Sequence, residues 1–170
     1  MLIYFDNDVA SMLTRKDNPQ ENEAAESLVS LHCNGKIRVC CSRQSHREME
    51  RAGKDSVKSL VDGIGSLELV DNDHEVLGFH VQSDYLGGFV ACPLVNDVVD
   101  GPVYGSLRRL GMKHDDAMHF MYAVHKKCRV FVTVDKHFLG RAKSLKEIEP
   151  EIEVMKPSEM VARLKQQGLL

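Results

Sequence analysis

Short uninterrupted apolar runs alternate along this chain with longer stretches in which apolar residues recur at helical spacing. Leu2–Phe5 is the first run and reads as a buried strand. A short helix over 9–14 follows it. Residues 19–34 fit a second helix, with Pro19 near its start, Ala24, Ala25, Leu28, Val29 and Leu31 on its inner side, and Asn34-Gly35 closing it. Residues 37–41 form a second apolar, β-branched run. Ser42 then stands where it can cap a helix reaching to about residue 62, with Glu50 and Lys54 one turn apart. A third strand is expected over 67–70. A helix over 115–127 would turn Ala117, Phe120, Met121 and Val124 inward, and the strongest strand signal of the chain, 130–134, comes next. The order closes with a short helix near 136–145, a strand over 152–155 and a helix over 157–167 opened by Pro157.

Strands that are apolar throughout need cover on both faces, and their alternation with helices supplies it. The pattern therefore predicts an α/β chain built as a three-layer α/β/α sandwich, with a central, mostly parallel sheet of about four to five strands. A length of 170 residues suits one domain over 1–170. The stretch 72–106 breaks the rhythm with Gly78, Gly87, Gly88, Gly101 and Gly105, and is read as an acidic, Gly-rich insertion carrying one or two short helices.

Composition sharpens this picture in three places. Hydrophobic residues reach 43% with aromatics at only 6%, which fits an aliphatic core and excludes a disordered chain. No run approaches the ~20 apolar residues of a membrane helix, and the first residues do not form a signal peptide, so no membrane association is expected. The five cysteines (33, 40, 41, 92, 128) are odd in number and lack a C-x-x-C pair, so all are expected as buried, inert thiols in a reducing cytoplasm.

Charge is segregated more than the net value of −3 suggests. Residues 62–100 hold eight Asp or Glu and no Lys or Arg, whereas 101–146 hold ten Lys or Arg and three acids, Asp115, Asp116 and Asp135. A locally basic stretch attracts phosphate whatever the net charge. Ligands of an open parallel sheet bind beyond the carboxyl ends of its strands. Asp6 ends the first strand, Glu48 lies in the helix after the second, Asp115 and Asp116 open the helix before the fourth, and Asp135 follows that fourth strand directly. Crowded carboxylates repel one another unless a cation joins them, and oxygen-rich clusters suit Mg²⁺ or Mn²⁺. Acids from four distant parts of the chain can thus converge at one sheet edge, where they would need such a cation.

The segments "IYFDNDV", "SRQSHREME", "GMKHDDAMHFMYAV" and "FVTVDKHF" resemble, in order, the four signature blocks of PIN-domain nucleases, over about residues 1–52 and 107–160. The resemblance implies one or two Mg²⁺ or Mn²⁺ ions and hydrolysis of RNA phosphodiester bonds, with Asp6, Asp116 (rather than Asp115) and Asp135 as metal ligands, these three with Glu48 as the catalytic set, and Thr133 as the hydroxyl neighbour of the last acid. Many such proteins are toxins of type II toxin–antitoxin pairs, similar to the VapC group. The expected partners are then RNA, an antitoxin protein and a second copy of the chain, a homodimer. Arg108, Lys113, Lys136 and Thr133 are the residues expected against substrate. Asn7-Asp8 departs from the family pattern, as does the length of 72–106.

Plainer roles compete at several positions. Asp8 and Asp115 can serve as helix caps or first-turn acids, Glu48 can pair with Arg47 or Arg51, and His119 on an inward helix face suits the core. Two other functions use the same residues. One is a PIN-like module that binds RNA or protein without catalysis. The other is a haloacid-dehalogenase-like phosphatase, in which Asp6 would be the nucleophile and Asp8 the acid/base.

Overall fold

The computed structural model of the chain describes residues 1–15, 18–42, 45, 67–70, 80–82, 89–91 and 98–170. Five strands form one sheet: β1 (Leu2–Phe5), β2 (Arg38–Ser42), β3 (Glu68–Val70), β6 (Val130–Val132) and β7 (Glu153–Met155). Its order is β3-β2-β1-β6-β7, and every pairing is parallel. β4 (His80–Gln82) and β5 (Phe89–Ala91) pair antiparallel in a separate hairpin. The helices whose bounds fall among the described residues are α1 (Asn7–Arg15), α2 (Pro19–Cys33), α3 (Gly101–Arg109), α4 (His114–His125), α5 (Lys136–Leu139), α6 (Ala142–Ile148) and α7 (Pro157–Gln166), and Ser45 is also helical.

The two-residue period of the strands divides the interior into two cores. Ile3, Phe5, Val39, Cys41, Val130 and Val132 face one side, where they meet Val9, Leu28, Met160 and Leu164 from α1, α2 and α7. Tyr4, Cys40, Val70 and Phe131 face the other, against Leu107, Phe120, Met121, Phe138 and Leu145 from α3, α4, α5 and α6. This is the expected α/β/α sandwich. Phe131 centres the second core, with ring centroids 5.2 Å from Tyr4, 5.6 Å from Phe120 and 4.7 Å from Phe138. On the opposite face, Glu21 of α2 binds the start of α7 twice, taking the Ser158 N–H at 2.9 Å and its hydroxyl at 2.8 Å.

Several boundaries differ from expectation for local reasons. α1 begins at Asn7, because the Asp6 carbonyl accepts the N–H groups of both Val9 and Ala10. Asp8 therefore sits in the first turn instead of capping the helix. β6 ends at Val132, so Thr133 and Val134 separate it from Asp135. The helix expected over 136–145 is two helices, broken at Gly140-Arg141. Within 72–106 the described residues form the β4–β5 hairpin, and α3 starts only at Gly101, capped by Asp100 Oδ1 on Val103 N–H at 3.0 Å. The rest of that stretch up to residue 97, where one or two short helices are expected, lies outside the described residues, and α3 belongs to the sandwich. Ser42 takes the Ser45 N–H on its hydroxyl at 3.3 Å, as a helix cap does, but the rest of the helix expected to about 62 lies outside the described residues. Cys40, Cys41 and Cys128 are buried and burial pushes the Cys41 thiol up to about 12, whereas Cys33 is exposed; Cys92 lies outside the described residues. No helix among the described residues is long and apolar enough to cross a membrane.

If Phe131 is the keystone of the second core, Phe131→Ala should lower unfolding stability by about 3–5 kcal/mol, measured by urea denaturation. A loss below about 1 kcal/mol would mean that the four rings do not pack as a unit.

Candidate functional site

β1 lies between β2 and β6, so the chain leaves it toward one side of the sheet and returns to it from the other. Such a switch point opens a crevice beyond the carboxyl ends of the two strands. Asp6 occupies that edge. Its N–H donates to the Val132 carbonyl at 3.0 Å, extending the β1–β6 ladder by one residue. Its carboxylate takes the Asn7 N–H on Oδ1 at 2.8 Å and the Thr133 hydroxyl on Oδ2 at 2.7 Å. Thr133 is fully buried, and the same Oγ1 accepts the Asp135 N–H at 3.0 Å. Asp135 in turn caps α5, with Oδ1 on the His137 N–H at 2.8 Å. One threonine hydroxyl thus ties together the two acid-bearing segments.

Asp6 is only 5% exposed. Burial pushes its carboxyl up to about 6, against the opposing influence of His119 and the Thr133 hydrogen bond, while Asp8 adds to the rise. The neighbour His119 comes from α4. It is buried, with Nδ1 2.9 Å from the Tyr4 hydroxyl. Tyr4 is two residues before Asp6 and so faces the same side of the sheet.

α4 also carries Asp115 and Asp116 in its first turn, where acids suit the helix dipole. Asp115 is exposed. Asp116 is half-buried and stands three residues before His119, on the same helix face and nearer the carboxyl edge. The turn before α4 is tight, with Gly111 at φ 80°, a conformation that favours glycine. Arg108 donates to the Met112 carbonyl at 2.6 Å, so its guanidinium braces this turn. Arg141 reaches the Leu110 carbonyl at 3.2 Å and the His137 carbonyl at 3.1 Å, clamping the loop before α4 to α5.

Glu48 lies outside the described residues. Among the described residues, no three His, Cys, Asp or Glu side chains are gathered as a group able to hold an ion. Asp6 and Asp135 are joined through Thr133, while Asp116 shares the edge by its place on α4. Lys113 and Lys136 are exposed at the same edge and make no ion pair with a described residue. The paired cations lie elsewhere: Arg38 and Lys126 meet Glu68 at 2.5 and 3.4 Å, and Arg129 meets Glu151, all near the amino ends of the strands. That opposite edge also holds a cavity of about 190 Å³ between Val124, Cys128, Arg129 and Ile152, remote from Asp6. His119 takes the core place expected for it. Neither Tyr4, a lone hydroxyl in an otherwise apolar strand, nor Arg141 stands out in the sequence.

No family model matches the chain, and no curated protein matches it. Among solved structures, a chain of VapBC2 from Rickettsia felis, bound to a DNA fragment from their promoter, superposes with a TM-score of 0.56. The likeness covers 92% of this chain and 98% of that one at 13% sequence identity. It is a distant link at the level of the fold, which is PIN-like.

The buried Asp6 carboxyl gives a pH prediction for the metal-free protein. Its folded value of about 6 exceeds an unfolded value near ~3.9, so the folded state holds the proton more tightly. Asp6 then costs nothing below about pH 4, where both states are protonated, and destabilises progressively as pH rises to about 6. With chelator present, Asp6→Asn should match wild type near pH 4 and be more stable by about 2–3 kcal/mol at pH 7. A gap that stays constant with pH would contradict the burial assigned to this group.

Proposed function

We propose that the chain is a metal-dependent endoribonuclease of the PIN kind, working at the carboxyl edge between β1 and β6. The observation that carries the reading is the linkage of Asp6 and Asp135 through the buried Thr133 hydroxyl at the switch point. Structural acids at strand ends are ordinarily exposed, and Asp6 is not. The half-buried Asp116 and the PIN-like fold support the same reading, as does the sequence resemblance of all four blocks, Glu48 included.

The donor set fits Mg²⁺ or Mn²⁺. Asp6, Asp116 and Asp135 offer only carboxylate oxygens. The oxygens of Asp6 that accept from Thr133 and Asn7 each keep a further lone pair. The burial that disfavours a bare Asp6 charge is relieved by a cation beside it. Such an ion supplies Lewis-acid polarisation of a phosphodiester and a water acidic enough to attack it near neutral pH. The chain's own part is to hold the acids. Thr133 and the Asn7 N–H fix both oxygens of Asp6, and the His137 N–H fixes one oxygen of Asp135, so neither side chain must reorganise when charge develops. Lys113 and Lys136 stand at the same edge without acidic partners among the described residues, where they can meet backbone phosphates. Arg108 contributes there mainly by bracing the 110–113 turn.

The likeness to a VapBC2 chain extends the proposal to a toxin's role, with an antitoxin protein as partner, assembly as a homodimer and action in the cytoplasm. A small neighbouring reading frame encoding a DNA-binding protein would support that part.

Two variants separate this reading from its rivals, assayed on RNA and on a small phosphomonoester with Mn²⁺ and with EDTA. Asp116→Asn should remove nearly all EDTA-sensitive RNA cleavage. Asp8→Asn should cost less than about tenfold, or under ~1.4 kcal/mol of barrier. Loss with Asp8→Asn and survival of Asp116→Asn, or turnover of the monoester alone, would favour the phosphatase. Binding of RNA without cleavage would favour the non-catalytic module.

A further inference from the structure

Two thiols that the candidate site does not use meet in the second core. Cys40 of β2 and Cys128, in the turn between α4 and β6, are both buried, and their sulfurs lie 3.6 Å apart. The contact reaches across β1 and joins positions 88 residues apart in sequence. Strand alternation selects the partner, since Cys40 faces this core whereas its neighbour Cys41 faces the other. Cys33 is exposed at the end of α2. Among the described residues, Cys40 and Cys128 are therefore the pair placed to share a bond.

The turn that carries Cys128 is fixed from both sides. The Cys128 N–H donates to the Ala123 carbonyl at 2.9 Å, and the Arg129 N–H donates to the Leu2 carbonyl at 3.0 Å. Between helix and strand Lys127 takes a φ of 56°, a conformation more often left to glycine or asparagine. The same turn borders the amino-edge cavity of about 190 Å³. Cys128 lines that cavity beside Val124 and Ile152, and the exposed Lys127, Arg129 and Glu151 form its rim. The space is far above the about 10–15 Å³ that admits a water molecule, so a small peroxide fits against the Cys128 sulfur. Cys40 is not part of the lining. Its contact with the Cys128 sulfur, together with burial, also holds its thiol above the ordinary range, so it is not the sulfur that an oxidant attacks first.

We propose that Cys40 and Cys128 are a redox modification site, which takes a small peroxide through the amino-edge cavity and yields a disulfide between β2 and the α4–β6 turn. This goes beyond the nuclease reading and does not depend on it. The Cys128 sulfur attacks the peroxide: an S–O bond forms, the O–O bond breaks, and the thiol proton leaves with the other oxygen as water. The Cys40 sulfur then attacks the resulting sulfenic acid: the S–S bond forms, the S–O bond breaks, and hydroxide departs with the Cys40 proton as a second water. The peroxide is reduced, and the two thiols supply its two electrons. The sulfurs close from 3.6 Å to about 2.05 Å, and the Cys128 turn, lying outside the strand ladder, absorbs the movement. A thiol reductant reverses the bond, as befits a transient link in a reducing compartment.

The test uses the full folded chain, treated with hydrogen peroxide, blocked with an alkylating agent and mapped without reductant by mass spectrometry. Wild type should yield a Cys40–Cys128 linked peptide lacking two hydrogens, which dithiothreitol separates. Cys41→Ser should form the same link. Cys40→Ser should leave Cys128 as a sulfenic acid that dimedone traps, whereas Cys128→Ser should leave Cys40 an unmodified thiol. The rate of link formation should be unchanged by urea below the unfolding transition, because the folded chain is the reactant. A rate that tracks the unfolded fraction, or a link from either residue to Cys41 or Cys92, would overturn the site. So would recovery of Cys40 and Cys128 as thiols while Cys33 is oxidised. Dimedone on Cys40 in Cys128→Ser would overturn entry through the cavity. None of these readouts involves RNA, so failure of the nuclease reading leaves each of them decisive.

Discussion

The hydrogen bond from the Thr133 hydroxyl to Asp6 is the interaction on which the site depends. It joins the carboxyl ends of β1 and β6, the two strands between which the sheet changes direction, and it does so inside the protein where water does not compete. A neutral hydrogen bond exposed at a surface contributes little; one made to a buried carboxylate is stronger, and its loss leaves a charge unpaired. The parallel pairing of Ile3, Tyr4 and Phe5 with Val130, Phe131 and Val132 sets its register. A slip of one residue would turn Asp6 toward the opposite core. The geometry of the candidate site and core packing are therefore one constraint, with Phe131 anchoring the strand that leads into Thr133.

From that bond the electrostatics follow. Asp6 is buried, so its ionised form is disfavoured and depends on the dipoles and charges around it: an N–H from α1, a hydroxyl from the end of β6, an imidazole from α4. The cations of the chain divide by edge. Near the amino ends of the strands they are matched by Glu68 and Glu151, and Arg38 and Lys126 hold the Glu68 carboxyl below its usual range. At the carboxyl edge Lys113 and Lys136 face no such partner among the described residues. A net charge of −3 is thus compatible with a basic rim around acidic side chains.

Much of this was legible in the sequence because strands buried on both faces must be largely apolar, and the runs at 2–5, 37–41, 67–70 and 130–134 are, with Arg38 and Glu68 pairing with each other near the amino ends. Five strands lie where the pattern put them, within one or two residues. The end of β6 was misjudged because Thr133 and Val134 continue a β-rich run, and nothing local reveals that Thr133 turns to serve Asp6 and Asp135. The break at Gly140-Arg141 follows from Arg141 reaching Leu110, a contact 31 residues distant that periodicity cannot express. Tyr4 was overlooked for the same reason, since its partner His119 is 115 residues away. Within 72–106, clustered glycines hid a hairpin whose strands are three residues each, too short for alternation to register. The acids were readable as strand-end residues. Their mutual distances were not, since those depend on how α4 seats against Tyr4 and Phe131.

The central claim is that the carboxyl edge between β1 and β6 holds a divalent metal among its acids. Crystals grown with Mn²⁺ and measured for anomalous scattering at a wavelength where manganese dominates test it most directly. The account predicts an anomalous peak bounded by the carboxylates of Asp6, Asp116 and Asp135. A peak at another place in the molecule, or none at millimolar Mn²⁺ in a crystal where these three side chains are ordered, would contradict it.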